Sequence, residues 1–327
     1  MFAKSRELRF SDGTVMETPL LVPSFSSKGF PSLQKTFDVT REYITDEILV
    51  SAYDVGRKLK PSFDFATTVF LDSGGYEASK ELDMSDTYET EHQDAKWSID
   101  DYQRVIDQWT AAVPTVFVSY DTPNSRVSIE KQIERAKSLR LTGSARALDF
   151  LVKPETEKST RLDIKTILVA CKHFDDFQVI GVTEKEIGNG LLDRMLNIAS
   201  LRTELNKHSP EKPIHVFGSL DTLTTFMYFI AGADIFDGLT WLRYAFLNGD
   251  TIYRHSFGAL TLPVSTNSDI VEARCWSHNY QYLQQMRLDM LKFVNDGRFD
   301  HFGRHAEIIK AASESLDAKL AGGRNGR

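Results

Sequence analysis

The chain has 327 residues, 41% of them hydrophobic and 26% charged, with a formal net charge of −7; that length suits one α/β barrel of about 250 residues with insertions. The acidic balance excludes a protein that coats nucleic acid by bulk electrostatics, which needs many Lys and Arg against phosphates, so a nucleic-acid contact must be a local patch, and composition alone suits a small-molecule enzyme equally. No stretch approaches the roughly 18 apolar residues of a membrane span, the opening MFAKSRELRFSDGT lacks the pattern of a secretory signal, and two cysteines cannot build a disulfide framework, so a cytoplasmic protein with no membrane contact is expected.

Eight β-rich runs follow in order: TPLLVPSF (18–25), EILVSAY (47–53), TTVFLDSGG (67–75), PTVFVSYD (114–121), DFLVKPE (149–155), FQVIGVTE (177–184), PIHVFGS (213–219) and ADIFDG (233–238). Amphipathic segments such as SIEKQIERAKSLR and LLDRMLNIASLRTELNK separate them, and alternating strand and helix is the mark of a parallel sheet. Eight units predict a closed (β/α)8 TIM barrel of the α/β class over an open doubly wound sheet, and no G-x-G-x-x-G follows the first strand. The acidic stretch 81–101 interrupts this rhythm as a surface loop at the C-terminal rim, ended by Ser98 and Asp101, which resemble a capping box. Beyond Asp237 a long connection leads to helices around NYQYLQQMRLDMLKFV and HAEIIKAASESLDAKL. The expected organisation is a barrel over 1–250 and a helical appendage over 251–327 packed on it, with the tail AGGRNGR disordered. Cys171, in IKTILVACKHF, reads as a buried core thiol.

In such a barrel the strand C-termini and the loops after them build the active site. Polar residues at strand ends are Asp72, Asp121, Lys153, Thr183 and Asp237. Any one of the aspartates can be a helix or turn cap, but three at the ends of three strands is a pattern that packing does not require. Asp72 precedes two glycines, which let backbone approach a flat ligand, and Tyr76 follows as a stacking platform or a core aromatic.

Taken in order from Thr18 to about Gly249, the segments LDSGGYEAS, VFVSYDTPNS, VIGVTE, VFGS and GADIFDGLTWLRYAFLNG resemble the elements of the tRNA-guanine transglycosylases. The resemblance implies a double displacement. Asp237 would attack the ribose C1′ and hold the sugar covalently, while Asp72 would protonate the leaving guanine and then deprotonate the incoming base, the two-carboxylate logic of retaining glycosidases. It further implies that Asp121 accepts hydrogen bonds from the guanine edge, that Gly181 and Gly218 line the base pocket, and that the target base is flipped from its stack, with Tyr76 as its platform.

Three departures from the family pattern qualify the substrate. Lys153 stands where the family carries a glutamine; lysine donates but cannot accept hydrogen bonds, and it reads here as a base contact, a surface lysine or a salt bridge to Asp121. Arg243 matches one of the arginines that hold the RNA, but Phe246 stands in place of the next, in a segment one residue longer. The family's structural zinc motif becomes Ala273-x-Cys275-x-x-His278, with His301 and His305 downstream. These four would still supply N and S ligands to zinc, or else are histidines on two helices after loss of the metal; no organic cofactor is expected. Together the departures favour the relatives that place 7-deazaguanines in DNA over those acting on tRNA. The expected partners are a nucleic acid, a free 7-deazaguanine bearing a small nitrile or amine group, and either a second copy paired through the zinc-bearing region or accessory proteins. The alternatives are an N-glycoside hydrolase and a non-catalytic binding subunit, the second disfavoured by the joint presence of Asp72, Asp121 and Asp237.

Overall fold

Each of the eight apolar runs forms a strand in the computed structural model, which describes residues 2–30, 32–57, 59, 62–79, 96–121 and 126–324. A short antiparallel hairpin of β1 (Glu7–Arg9) and β2 (Val15–Glu17) comes first. Then β3 (Leu20–Phe25), β4 (Glu47–Ser51), β5 (Thr68–Asp72), β6 (Thr115–Val118), β7 (Arg146–Val152), β8 (Val179–Thr183), β9 (Ile214–Phe217) and β10 (Ile235–Gly238) pair in parallel in chain order. Parallel pairing of β10 with β3 closes the ring, making a (β/α)8 TIM barrel. The crossovers carry α1 (Leu33–Thr40), α2 (Ala52–Val55), α3 (Ile99–Asp107), α4 (Ile129–Lys137), α5 (Ile164–Ala170), α6 (Glu184–Ile187), α7 (Leu191–His208) and α8 (Thr224–Ile230).

Parallel strands covered by helices are buried on both faces, which is why the runs read as continuously apolar. Successive side chains nonetheless divide between two cores. Phe70, Leu151, Phe217 and Ile235 point into the barrel, while Leu71, Phe150, Val216 and Phe236 point out against the helices. The hairpin of β1 and β2 fills the N-terminal end of the barrel, where Leu8 and Phe10 join the inner core. The Asp12-Gly13 pair, with Gly13 at φ 91°, makes its turn.

After β10 the chain is more regular than the long connection expected from the sequence. The short α9 (Thr240–Arg243) leads into an antiparallel hairpin of β11 (Tyr244–Leu247) and β12 (Asp250–Tyr253), then α10 (Arg254–Thr261), α11 (Ser268–Asp296) and α12 (Ala306–Arg324). The α11 helix begins well before the apolar pattern at 279, because the Asn267 side chain accepts the Asp269 N–H at its start; it stops at Gly297, whose φ is 71°. It packs along α1 and β3, while α12 packs on α7 and α8, so the C-terminal helices form an appendage on the barrel. The tail expected to be disordered continues α12 through Arg324, and 325–327 lie outside the described residues. The Ser98–Asp101 capping box is formed at the start of α3, whereas 80–95 of the acidic loop lie outside the described residues. Cys171 is buried at the end of α5. Among the described residues no helix is long and apolar enough to cross a membrane.

Beneath the barrel, the buried Asp234 carboxylate holds two buried guanidiniums, Arg6 at 2.7 Å and Arg202 of α7 at 2.5 Å, and its Oδ2 also accepts the Ile214 N–H. Removing the one anion strands two buried cations, so Asp234→Ala is expected to lose about 3–5 kcal/mol of stability, read as a lowered urea midpoint.

Candidate active site

A cavity of about 370 Å³ opens at the C-terminal end of the barrel, in the size range of small-molecule sites. Asp72, Tyr76, Asp121, Lys153, Gly218, Asp237 and Arg243 all line it. The inward register explains the polar wall: Asp72 lies two residues beyond Phe70, Lys153 two beyond Leu151 and Asp237 two beyond Ile235, so each extends a stack of inward-facing side chains past the filled core. Gly181 is not among the lining residues. A Cβ there would sit 2.7 Å from both Asp149 Oδ1 and the Phe217 ring, so this glycine makes room for side chains beneath the cavity instead of forming its wall.

Three donors converge on the Asp237 carboxylate. Oδ1 accepts the Gly218 N–H at 3.0 Å and faces His215 Nε2 at 3.2 Å, while Oδ2 accepts the Ser24 hydroxyl at 2.8 Å. Gly218 can aim its amide there because it adopts φ 74°, which disfavours side chains. Behind the ring, His215 Nδ1 lies 2.7 Å from Asp149 Oδ2. Both residues are fully buried, and neither stands at a strand end, which is why a survey of strand ends passes over them. Their one sequence signal is a charged or titratable residue in the middle of an apolar run.

Asp72 has a different environment. It accepts the Gly74 N–H at 3.0 Å, but burial, then the neighbouring Glu77 charge, and lesser repulsion from Asp237 and Asp121 push its pKa up to about 7. Glu77 accepts hydroxyls from Ser26 at 2.5 Å and Ser51 at 2.7 Å, yet burial and the Asp54 charge lift it to about 7 as well. Asp72 can therefore hold or yield a proton near neutrality, the property required of a general acid and base.

Asp121 is paired with Arg126 and lies 3.3 Å from Lys153 Nζ. Of the alternatives for Lys153, the salt bridge is formed, and the ammonium also donates to Thr183 Oγ1 and Glu186 Oε2, both at 2.9 Å. Burial opposes its charge, but Asp121 and Glu186 outweigh burial and raise its pKa. Gly75 lets this aspartate approach, since a Cβ there would lie 2.7 Å from the Asp121 carbonyl oxygen. The Thr-Pro pair after Asp121 lies outside the described residues. Across the cavity the Tyr76 hydroxyl accepts Arg243 Nη2 at 3.0 Å, and Lys28 Nζ stands 4.5 Å from the Tyr76 ring centre. Phe246 is fully buried and packs on Tyr282.

The four candidate zinc ligands do not converge. Among the described residues no three His, Cys, Asp or Glu side chains are grouped to hold a metal ion. Buried Cys275 donates to the Tyr244 carbonyl at 3.4 Å. His278 tilts against the Phe257 ring, His305 Nε2 meets the Gly249 carbonyl at 2.6 Å, and His301 Nε2 meets the Asp296 carboxylate at 2.8 Å. Asp296 lies about 30 Å along α11 from Cys275 at the helical rise per residue. Among the described residues these four side chains are not arranged as a zinc site.

Comparison with protein-family models gives no match, and comparison with curated protein sequences gives none.

The carboxyls that bracket the cavity carry a testable cost. Asp72 titrates near its ordinary 3.8 in the unfolded chain and near 7 in the folded one. Its contribution to stability is therefore full below pH 4 and is lost as pH rises through 7. Asp72→Asn keeps an acceptor for the Gly74 N–H and removes the titration, so it should raise the melting temperature by a few degrees at pH 8 and by much less at pH 4. An equal effect at both pH values would show that Asp72 carries no raised pKa.

Proposed function

We propose that the chain is a base-exchange transglycosylase, a glycosyltransferase that replaces guanine in a nucleic acid, DNA in preference to tRNA, with a 7-deazaguanine through an Asp237-glycosyl intermediate. The observation that carries this reading is that Asp72 and Asp237, from the third and eighth barrel strands, line one cavity in opposite settings. One carboxylate is surrounded by donors, as suits an anionic nucleophile; the other is pushed towards holding a proton.

The chemistry follows from the donor pattern. Asp237 Oδ1 already faces two donors and Oδ2 only one, so Oδ2 keeps a lone pair for attack. As the Oδ2–C1′ bond forms and the C1′–N9 bond breaks, Asp72 gives its proton to the departing guanine. The incoming base then yields its N9 proton to Asp72, its nitrogen bonds to C1′, and Asp237 leaves as carboxylate. Tyr76 offers a flat wall for a flipped base. Arg126 and Lys153, on either side of Asp121, offer donors to a group on the base. The preference for DNA rests on the departures taken together, the base pocket changed at Lys153 and the family's second arginine replaced by a buried phenylalanine, Phe246.

The test incubates the protein with duplex DNA, single-stranded DNA and tRNA in parallel, each with labelled guanine and 7-deazaguanines. Wild type should incorporate label into DNA and form an adduct on Asp237 visible by mass, whereas Asp237→Ala and Asp237→Asn should do neither. Normal exchange in either variant would defeat the assignment, guanine release without incorporation would establish a hydrolase, and incorporation into tRNA alone would reverse the polymer preference.

A further inference from the structure

We infer that Asp149 and His215 form a buried relay beneath the nucleophile, in which His215 is a positioning residue that stays positively charged through both displacement steps. This inference rests on the role proposed for Asp237. Each ring nitrogen of His215 faces a carboxylate oxygen, Nδ1 that of Asp149 at 2.7 Å and Nε2 that of Asp237 at 3.2 Å. An imidazole donates to two such acceptors only when both nitrogens carry protons.

The surroundings hold that charge. The Phe217 ring stacks on His215 with centres 3.8 Å apart and Phe70 meets it edge-on at 5.6 Å, sealing the relay from the cavity. Burial alone would strip the proton, but the hydrogen bonds and charges of Asp149 and Asp237 outweigh it and lift His215 to about 9. The charged groups facing the ring are Asp149 from β7 and Asp237 from β10; Gly181 of β8 pairs in register with His215, and β5 offers Phe70. Asp149 Oδ1 is buried with no hydrogen-bond partner among the described residues. Leaving a buried carboxylate oxygen unsatisfied is costly, and simple packing does not call for it.

The relay has a use in the second step. Once Asp237 is esterified it is neutral, and His215 loses one of its two counter-charges. Burial raises the Asp149 pKa, but its 2.7 Å contact with Nδ1 and the imidazolium charge oppose that rise, so Asp149 supplies the other and the imidazolium persists. Its Nε2–H then points at the ester carbonyl oxygen, Oδ1, and withdraws electron density. As the base nitrogen bonds to C1′, the C1′–Oδ2 pair returns to Asp237 as carboxylate and the base proton passes to Asp72; no proton moves through His215.

The experiment separates adduct formation from adduct turnover. Wild-type adduct, formed without incoming base and then mixed with a 7-deazaguanine, should turn over with a bell-shaped profile, rising near pH 7 as Asp72 ionises and falling at higher pH as His215 loses its proton, below the value of about 9 that it has beside a charged Asp237. In Asp149→Asn the adduct should still form, but the falling limb should move to lower pH, because the imidazolium loses its remaining counter-charge. On the alkaline side turnover then drops about tenfold for each pH unit by which that limb moves, following the imidazolium fraction. Nitrogen NMR of labelled histidine, with the His215 signals assigned by their loss in His215→Gln, should show two protonated ring nitrogens in wild type at pH 7.5. A wild-type profile in Asp149→Asn, or one unprotonated nitrogen on His215, would overturn the relay. Absence of any Asp237 adduct in wild type would instead sink the transglycosylase reading, and the NMR signature would still decide the charge on His215.

Discussion

A closed ring of eight parallel strands turns every second side chain inward, and that constraint governs both the packing of this protein and its chemistry. The lower inward positions are filled by Leu20, Val22, Phe70, Val116, Leu151, Val179 and Ile235. One step further up the same rows the chain places Asp72, Lys153 and Asp237. The side chains that solidify the barrel are thus the platform on which the polar groups stand, and strand register alone carries a carboxylate to the cavity floor.

Burial then sorts the acids into distinct conditions. Asp237 is met by an amide, a hydroxyl and an imidazole; Asp121 is held by an arginine and a lysine; Asp72 has one amide and repulsive neighbours. The same residue type is therefore placed in three settings, which suit the proposed roles of nucleophile, anchor and proton carrier, according to what the neighbouring strands contribute. Crowding Asp72 and Glu77 together costs stability that a packed core elsewhere must supply, a common condition of built sites.

The strands were legible because each is a short apolar run bounded by turn residues, and the strand-end acids because a barrel exposes its chemistry at that edge. The relay was not. Asp149 and His215 sit inside LDFLV and IHVF, and whether such a residue points into the barrel or out to a helix depends on a register that a single run does not reveal. Arg126 gains its role only because the fold brings its guanidinium to Asp121. Cys275 and His278 show the reverse failure, since their spacing resembles a metal motif while α11 runs straight on to Asp296 and carries the chain away from them. The first hairpin had a readable signal in Asp12-Gly13, but its place under the barrel follows from which end of the ring lacked filling.

The seam where β10 meets β3 joins the last barrel strand to the first, and Arg6 is tied to Asp234 beside that seam. On a ribosome adding about 5–20 residues per second, the β3 edge waits on the order of ten to forty seconds for its neighbour. Throughout that interval it presents a row of open amides and carbonyls to any passing strand. Asp237, the proposed nucleophile, lies on the strand that ends the wait, so a nascent chain completes the cavity only when the ring shuts, and fragments released earlier would lack that cavity and be adhesive.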